Sequence, residues 1–421
     1  MIMEFKFEGR TKLITQILMG IGLIALIGGF LTDGSDHHQR WWANLLVNGF
    51  FWFSISLAAL FFYALNYAVE ASWSALIKRL FEAMWHFLPI GGGIIVLILA
   101  AGHFFHAHHL YHWMDTSLYH EYMIVEGDHP TYLDTMEAGA VANPNYDHII
   151  AGKEAYFAPW FFWLRTLGYL ATFFIFARLF RRWSLLEDEK PSLDLHFKQF
   201  RRSALFLVFF AVFSSMLAWD WVMSIDVHWF STLFGWYLFS GMWVSFMIML
   251  NLGLTWLRSK GYYQEVTSSH MHDISKWMFA ISMLWSYLWV SQFLLIWYAN
   301  IPEEVTYYTQ RFFSDYQVPF MITFFVNFAV PFYTLLPRDT KRNSKFIVPV
   351  GLLIFLGHFA DVYLLVIPGT MFDHNEFGIF EVGLFLGFLG LYLNRTLTAL
   401  SKAPLIPVNH PMLQESKELH Y

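Results

Sequence analysis

Long apolar runs alternate with polar connections along the whole chain, and ten runs are long enough to matter: residues 12–31, 41–67, 80–105, 156–180, 201–224, 230–257, 274–299, 317–336, 346–367 and 377–400. A helix needs roughly 20 mostly apolar residues to cross about 30 Å of hydrocarbon, so each run predicts one membrane span. The connections at 225–229 and 368–376 are tight hairpins, whereas 106–155 is a connection of some 50 residues. The first run exceeds the usual core of a signal peptide. Its flank mixes Glu4 and Glu8 with Lys6 and Arg10, and no Ala-x-Ala site follows, so it is expected to be a retained span. The expected fold class is an all-α integral membrane protein with ten transmembrane helices, forming a single membrane domain over 1–421.

Basic residues test that layout independently. If both termini and the even connections share one side, that side holds 22 of the 26 Lys and Arg residues. Only Arg40, Lys153 and Arg311 fall on the other side, and Arg165 falls inside a span. The positive-inside rule then places both termini in the cytoplasm and the 106–155 connection in the periplasm, the pattern of a multi-pass protein of the bacterial inner membrane. The outward side carries sixteen acids: Asp33, Asp36, Asp115, Glu121, Glu126, Asp128, Asp134, Glu137, Asp147, Glu154, Asp226, Glu303, Glu304, Asp315, Asp373 and Glu376. Such a face attracts a basic soluble partner, although translocated loops also accept acids without any partner to explain them.

Composition supports a lipid-embedded chain. Hydrophobic residues make up 57%, aromatic residues 20% and charged residues 14%, against roughly 25% charged in ordinary soluble domains. There is no cysteine, which excludes covalently attached c-type haem, thiolate-ligated iron–sulfur clusters and disulfides in this chain. Any such redox centre in the same pathway has to sit in another subunit.

Ionisable groups at membrane depth cost about 2.5–3.5 kcal/mol each on insertion scales, so each calls for a reason. Glu82 and His86 are spaced i, i+4 on the third span; His358 and Asp361 are three apart on the ninth. His103, Arg165, Asp220 and Glu381 lie toward outer span ends. One reading is a proton route of two half-paths: Glu82 and His86 open to the cytoplasm, and His103, Arg165, Asp220, His358 and Asp361 open outward. Asn48, Tyr169, Ser282, Gln292 and Asn327 would hold bridging waters. The other reading is structural: Arg165 neutralises Asp220 or another buried acid, and the remainder hydrogen-bond between helices.

The run from His103 to His112 invites a metal, because His108 and His112 share the i, i+4 spacing, but no Cys or acid beyond Asp115 completes a set. An interfacial His and aromatic belt explains it as well, and no metal ligands are expected. Bis-histidine haem b through His86, His103 or His358 is disfavoured by their different depths. Pro89-Ile-Gly-Gly-Gly93 is expected to break the third span, either lining a cavity or packing closely against a neighbour.

Two stretches carry a family resemblance. Ser291-Gln-Phe-Leu-Leu-Ile-Trp-Tyr-Ala-Asn-Ile-Pro-Glu-Glu304 closes the seventh span, and Trp219-Asp-Trp-Val-Met-Ser-Ile-Asp-Val-His-Trp-Phe-Ser-Thr-Leu-Phe-Gly235 joins the fifth to the sixth. Both resemble motifs of the NrfD-like (polysulfide reductase) membrane subunits found in alternative complex III, a bacterial quinol:cytochrome c oxidoreductase. The resemblance implies two four-helix bundles, spans two to five and six to nine, with peripheral first and last spans. It implies a multihaem cytochrome c, an iron–sulfur subunit, a monohaem cytochrome c, a paralogous NrfD-like subunit and small membrane subunits as partners. These partners would carry haem c and the iron–sulfur clusters; this chain would bind no cofactor and would contact menaquinone or another quinol. The region matching the family's quinol site offers His103, Arg165, Tyr169 and Asp220. The first span departs from the family: Gln16 is its only amide and it has no His or Asn, which favours a scaffolding or proton-conducting role. Two rivals remain from other classes, an autonomous secondary transporter built of two similar bundles and a haem b cytochrome.

Overall fold

The computed structural model describes residues 4–126, 129–372 and 377–420, without the side chains of Glu126 and His129. Of the outward acids named above, Asp128, Asp373 and Glu376 therefore lie outside the described residues, as does the Glu126 side chain. The chain is 78% helical. Ten helices are long and apolar enough to cross a membrane: α1 (Gly9–Thr32), α2 (Asp36–Ala68), α3 (Ser72–Phe105), α4 (Pro159–Glu189), α5 (Leu193–Ile225), α6 (Phe234–Ser259), α7 (Ser268–Ala299), α8 (Gln317–Leu335), α9 (Ser344–Met371) and α10 (Ile379–Leu400). In lipid every backbone polar group must be satisfied within the segment, and a continuous helix does that.

Burial separates the helices by position. The most apolar window of α2 is 100% buried, whereas that of α1 is 17% buried. Helix α2 is enclosed by α3, α5, α6, α9 and α10, and α1 lies along α10. Small residues set that last contact, since a Cβ on Gly22 would fall 2.2 Å from the Cα of Gly387. Leu23, Ile24, Leu31, Trp160, Trp297 and Tyr298 stand exposed on the outside, where lipid rather than water suits them.

Helix α3 is not one smooth helix. A 3-10 turn at Trp85–Phe87 interrupts it, and an unbroken α-helix then runs Leu88–Phe105 with Pro89 in its first turn. The expected break at Pro89–Gly93 thus falls one turn earlier, because proline is tolerated at a helix start, where its missing N–H is not needed. The glycines serve packing: a Cβ on Gly91 would meet Phe53 at 2.8 Å, and one on Gly92 would meet Phe174 at 2.8 Å.

Two elements sit in the connections. The 106–155 segment holds an antiparallel sheet of three short strands, β1 (Tyr122–Glu126), β2 (His129–Leu133) and β3 (Val141–Ala142), in the order β2-β1-β3 with Tyr122 opposite Leu133 and Met123 opposite Val141. An amphipathic helix, Pro302–Phe312, follows α7, whose end is set by Asn300 in the left-handed conformation that asparagine tolerates.

Hydrogen bonds between distant segments fix which ends lie together. Ser416 donates to the Trp73 carbonyl at 2.8 Å, Tyr263 to the Leu405 carbonyl at 2.8 Å and Asn409 to the Asp188 carbonyl at 2.7 Å, gathering the C-terminal segment with the start of α3, the end of α4 and the α6–α7 connection. At the far end Arg40 of α2 grips Glu381 of α10 at 2.8 and 3.0 Å.

Candidate functional site

Besides the Arg40–Glu381 pair, three groups of buried charge stand out among the described residues, and each is held differently. The first lies near the terminus-bearing end. Glu82 has no exposure and receives Arg79 at 2.7 Å and Arg181 at 2.6 Å, with Ser184 donating to its other oxygen and Lys78 at 3.9 Å. Lys78 pairs with Glu187 at 2.9 Å, and Arg79 also reaches Asp188. His86 does not meet the Glu82 carboxylate; its Nδ1 lies 3.1 Å from the Glu82 carbonyl. The two residues stay adjacent, one turn apart, with the 3-10 turn at Trp85–Phe87 beginning between them.

The second group joins α4 to α5. Arg165 binds Asp220 through two parallel hydrogen bonds of 2.9 and 3.0 Å, and Tyr169 donates to the same carboxylate at 2.7 Å. The remaining guanidinium nitrogen donates to the Tyr156 carbonyl at 2.9 Å, while the rings of Tyr156 and Phe161 lie 4.0 and 4.2 Å from its central carbon. This fork geometry is the strong form of a carboxylate pair. Of the two readings of Arg165, neutralisation of Asp220 is the geometry observed. His103 is apart from them: its ring packs against Phe104, Trp113 and Trp163, and its buried Nδ1 has no partner. Of the three residues expected from sequence to contact quinone, Arg165 and Tyr169 therefore share no hydrogen bond with His103 among the described residues. Arg165 and Tyr169 are engaged with Asp220, and His103 faces an aromatic wall.

The third group centres on Asp361 of α9. Tyr237 of α6 donates to one carboxylate oxygen, and the Trp285 indole N–H of α7 donates to the other at 3.1 Å. Among the described residues no cation lies within ion-pair distance of it. Asp361 stands between two cavities of about 10 Å³ each, the size of a single water. One is lined by Trp229, Tyr237, Gln292 and Tyr307, the other by Ser54, Ser245 and His358. His358 is 1% exposed, and neither ring nitrogen has a partner; the Trp285 ring stands edge-on to it at 5.4 Å. The spacing of His358 and Asp361 does bring both onto one cavity. Asn327, Ser282, the Gln292 carbonyl and the Asn48 carbonyl also carry buried polar atoms without partners. Buried polar groups take a hydrogen bond from somewhere, so these are the positions for ordered water.

Residues of both motif stretches reach this third group, while Asp220, at the start of the first, belongs to the second group. Asp226 and Trp229 come from the first: Asp226 accepts from Arg311 at 3.1 Å, and Trp229 stacks on Tyr307 at 4.0 Å. Gln292 of the second lines the same cavity as Trp229 and Asp361. Arg311 is fully buried, with Tyr307 stacked 3.5 Å from its guanidinium. Burial works to lower its pKa, but Tyr307 and Asp226 outweigh that and hold the pKa above the usual arginine value, so the guanidinium keeps its charge.

Outside the spans, the histidine run does not assemble a ligand set. His108 is tied to the main chain: its Nε2–H donates to the Ile98 carbonyl at 2.9 Å, and its Nδ1 accepts from the Leu110 N–H at 3.3 Å. Burial pulls its pKa down to about 4, against the contact with Ile98 that raises it. His106, in the left-handed region, ends α3, so the helical register behind an i, i+4 pairing of His108 with His112 does not exist. Tyr237, Trp285 and Arg311 were not anticipated, because hydroxyl and indole groups are common in this aromatic-rich chain and carry no spacing signal. Compared with known proteins, the chain matches no family model and no curated protein.

Proposed function

We propose that the chain is a membrane subunit of a quinol:electron-acceptor oxidoreductase complex, of the NrfD-like family and most like the ActF subunit of alternative complex III, with ActC as the runner-up. In this reading it sits in the bacterial cytoplasmic membrane with both termini inside, anchors cytochrome c and iron–sulfur partners, and passes protons. The observation that carries it is the convergence of Trp229 and Gln292, one from each family-like motif and 63 residues apart, on the water-sized cavity beside Asp361. The packing of α2 on α3 and α5, α4 on α5, and of α6 through α9 among themselves fits the two four-helix bundles the family resemblance implies.

Proton handling falls most naturally to the third group. Asp361 has only neutral donors, Tyr237 can donate to it or accept from it, and His358 and unpartnered amides lie alongside. Glu82 and Asp220 are clamped by cations and act as structural charge. Quinone contact through His103, Arg165 and Tyr169 is the weaker element, since two of those side chains are already engaged. Extraction in mild detergent, identification of co-purifying chains and a quinol:cytochrome c assay test the assignment. The chain is expected to migrate with c-type haem and iron–sulfur protein. A haem-free chain that transports a solute alone after reconstitution would replace this reading with the transporter.

A further inference from the structure

At the terminus-bearing end, three segments distant in sequence bring Glu187, His196 and His410 together, all buried, with one ligand atom from each lying within 4.8 Å of the others. Glu187 closes α4, His196 opens α5 and His410 comes from the C-terminal segment. The Glu187 Oε2 oxygen is taken by Lys78 at 2.9 Å and Tyr67 at 3.2 Å, which leaves Oε1 unpartnered. Both ring nitrogens of His196 are buried and unpartnered as well. The distance from His196 Nδ1 to Glu187 Oε1 is 3.7 Å, too long for a hydrogen bond. It is close to the roughly 3.4 Å that separates two ligands of one tetrahedral zinc ion with bonds of about 2.1 Å. A cavity of about 20 Å³, room for a water-sized occupant, is lined by Tyr67, Glu70, Lys78, His196 and His410.

We propose that Glu187, His196 and His410 form a site for a divalent transition-metal ion, zinc by chemistry, that fastens the C-terminal segment to the α4–α5 connection. Two imidazoles and one carboxylate are a zinc donor set with an open fourth position. A water in the cavity completes it. Lys78, Arg79 and Arg181 are the nearby cations and Glu82, Glu187 and Asp188 pair with them, so Glu70 leaves one negative charge in excess and offsets half of a dication. The segment is otherwise held by burial of Leu405 and by hydrogen bonds, among them those from the Val408 N–H to Asp188 and from Ser416 to Trp73.

The test uses the full-length chain, free of any histidine tag, in detergent. After chelator treatment and incubation with Zn²⁺, desalted protein should retain one zinc per chain by elemental mass spectrometry, and Co²⁺ should give the visible absorption of a tetrahedral site. His410→Gln and His196→Gln should reduce both to background while eluting as the unaltered chain does. Zn²⁺ should also slow proteolysis within residues 401–420, and chelator should reverse this, a readout that needs no variant. No retained zinc in the unaltered chain, equal zinc in the histidine variants, or proteolysis indifferent to zinc would overturn the site in favour of a water-filled cavity.

Discussion

Asp220 and Asp361 are both buried carboxylates between long helices, and they are held in opposite ways. Asp220 faces a guanidinium in fork geometry plus a phenol; Asp361 faces a phenol and an indole, with water-sized cavities on two sides. An ion pair in low dielectric resists any change of charge, because losing either partner leaves the other uncompensated. Neutral donors impose no such lock. Two acids that look alike in sequence are therefore held differently: one joins α4 to α5 through an ion pair, and the other, with neutral donors and adjoining cavities, is the one we propose exchanges a proton.

The comparison breaks first at the ion pair. Arg165→Met strands Asp220 and should cost about 3–5 kcal/mol, seen as a large fall in the melting temperature of the detergent-solubilised chain. Combining it with Asp220→Leu should recover most of that loss, since an apolar pair of similar volume replaces a buried ion pair at little cost. Equal losses in the single and double variants would show that the pair is not what stabilises this contact. For the same reason Asp220→Asn is expected to destabilise the chain, and it is a poor probe of proton traffic.

The next effect is pH dependence, to which His108 contributes alongside other buried histidines such as His410. Above pH about 6.5 the His108 imidazole is neutral in folded and unfolded chains alike. As the pH falls from there to about 4, the unfolded chain takes up a proton that the folded one refuses, so stability drops with acidification and then levels off. The full effect is on the order of 3 kcal/mol. His108→Gln keeps a donor for the Ile98 carbonyl without a titrating ring, and melting curves between pH 7 and 4 should flatten accordingly. A slope unchanged by the substitution would assign the acid sensitivity elsewhere.

Smaller effects belong to the third group. Asp361→Asn should cost only about 1 kcal/mol, the order of one hydrogen bond, because Tyr237 can reverse its donation toward the new amide. Tyr237→Phe should cost about as much while leaving the carboxylate in place. Near-equal melting temperatures for these two variants, against the collapse expected from Arg165→Met, are the sharpest form of the contrast.

What the sequence made legible follows the physics of each signal. The ten spans are visible because lipid demands long apolar runs, and the charged positions stand out because depth makes them costly. Arg165 with Asp220 was one of two readings, since a buried cation almost requires a buried anion. Glu82 and His86 stood out by their spacing, but the cations of α3 and α4 that hold the Glu82 carboxylate, Arg79 and Arg181, come from the fold and give no signal in the chain. The strands at 122–142 and the helix Pro302–Phe312 were missed because a short element in a polar connection has weak periodicity. His196 and His410 were invisible for a simpler reason: 213 intervening residues, and an encounter made only by the fold.

The most direct measurement is the number of protons moved per electron by the intact complex in proteoliposomes, with Asp361→Asn compared against the Arg165→Met, Asp220→Leu double variant. The ratio should fall for Asp361→Asn, with the complex still assembled, and should hold for the double variant. An unchanged ratio in Asp361→Asn, or a loss confined to the double variant, would contradict the assignment of proton handling to the α6, α7 and α9 group.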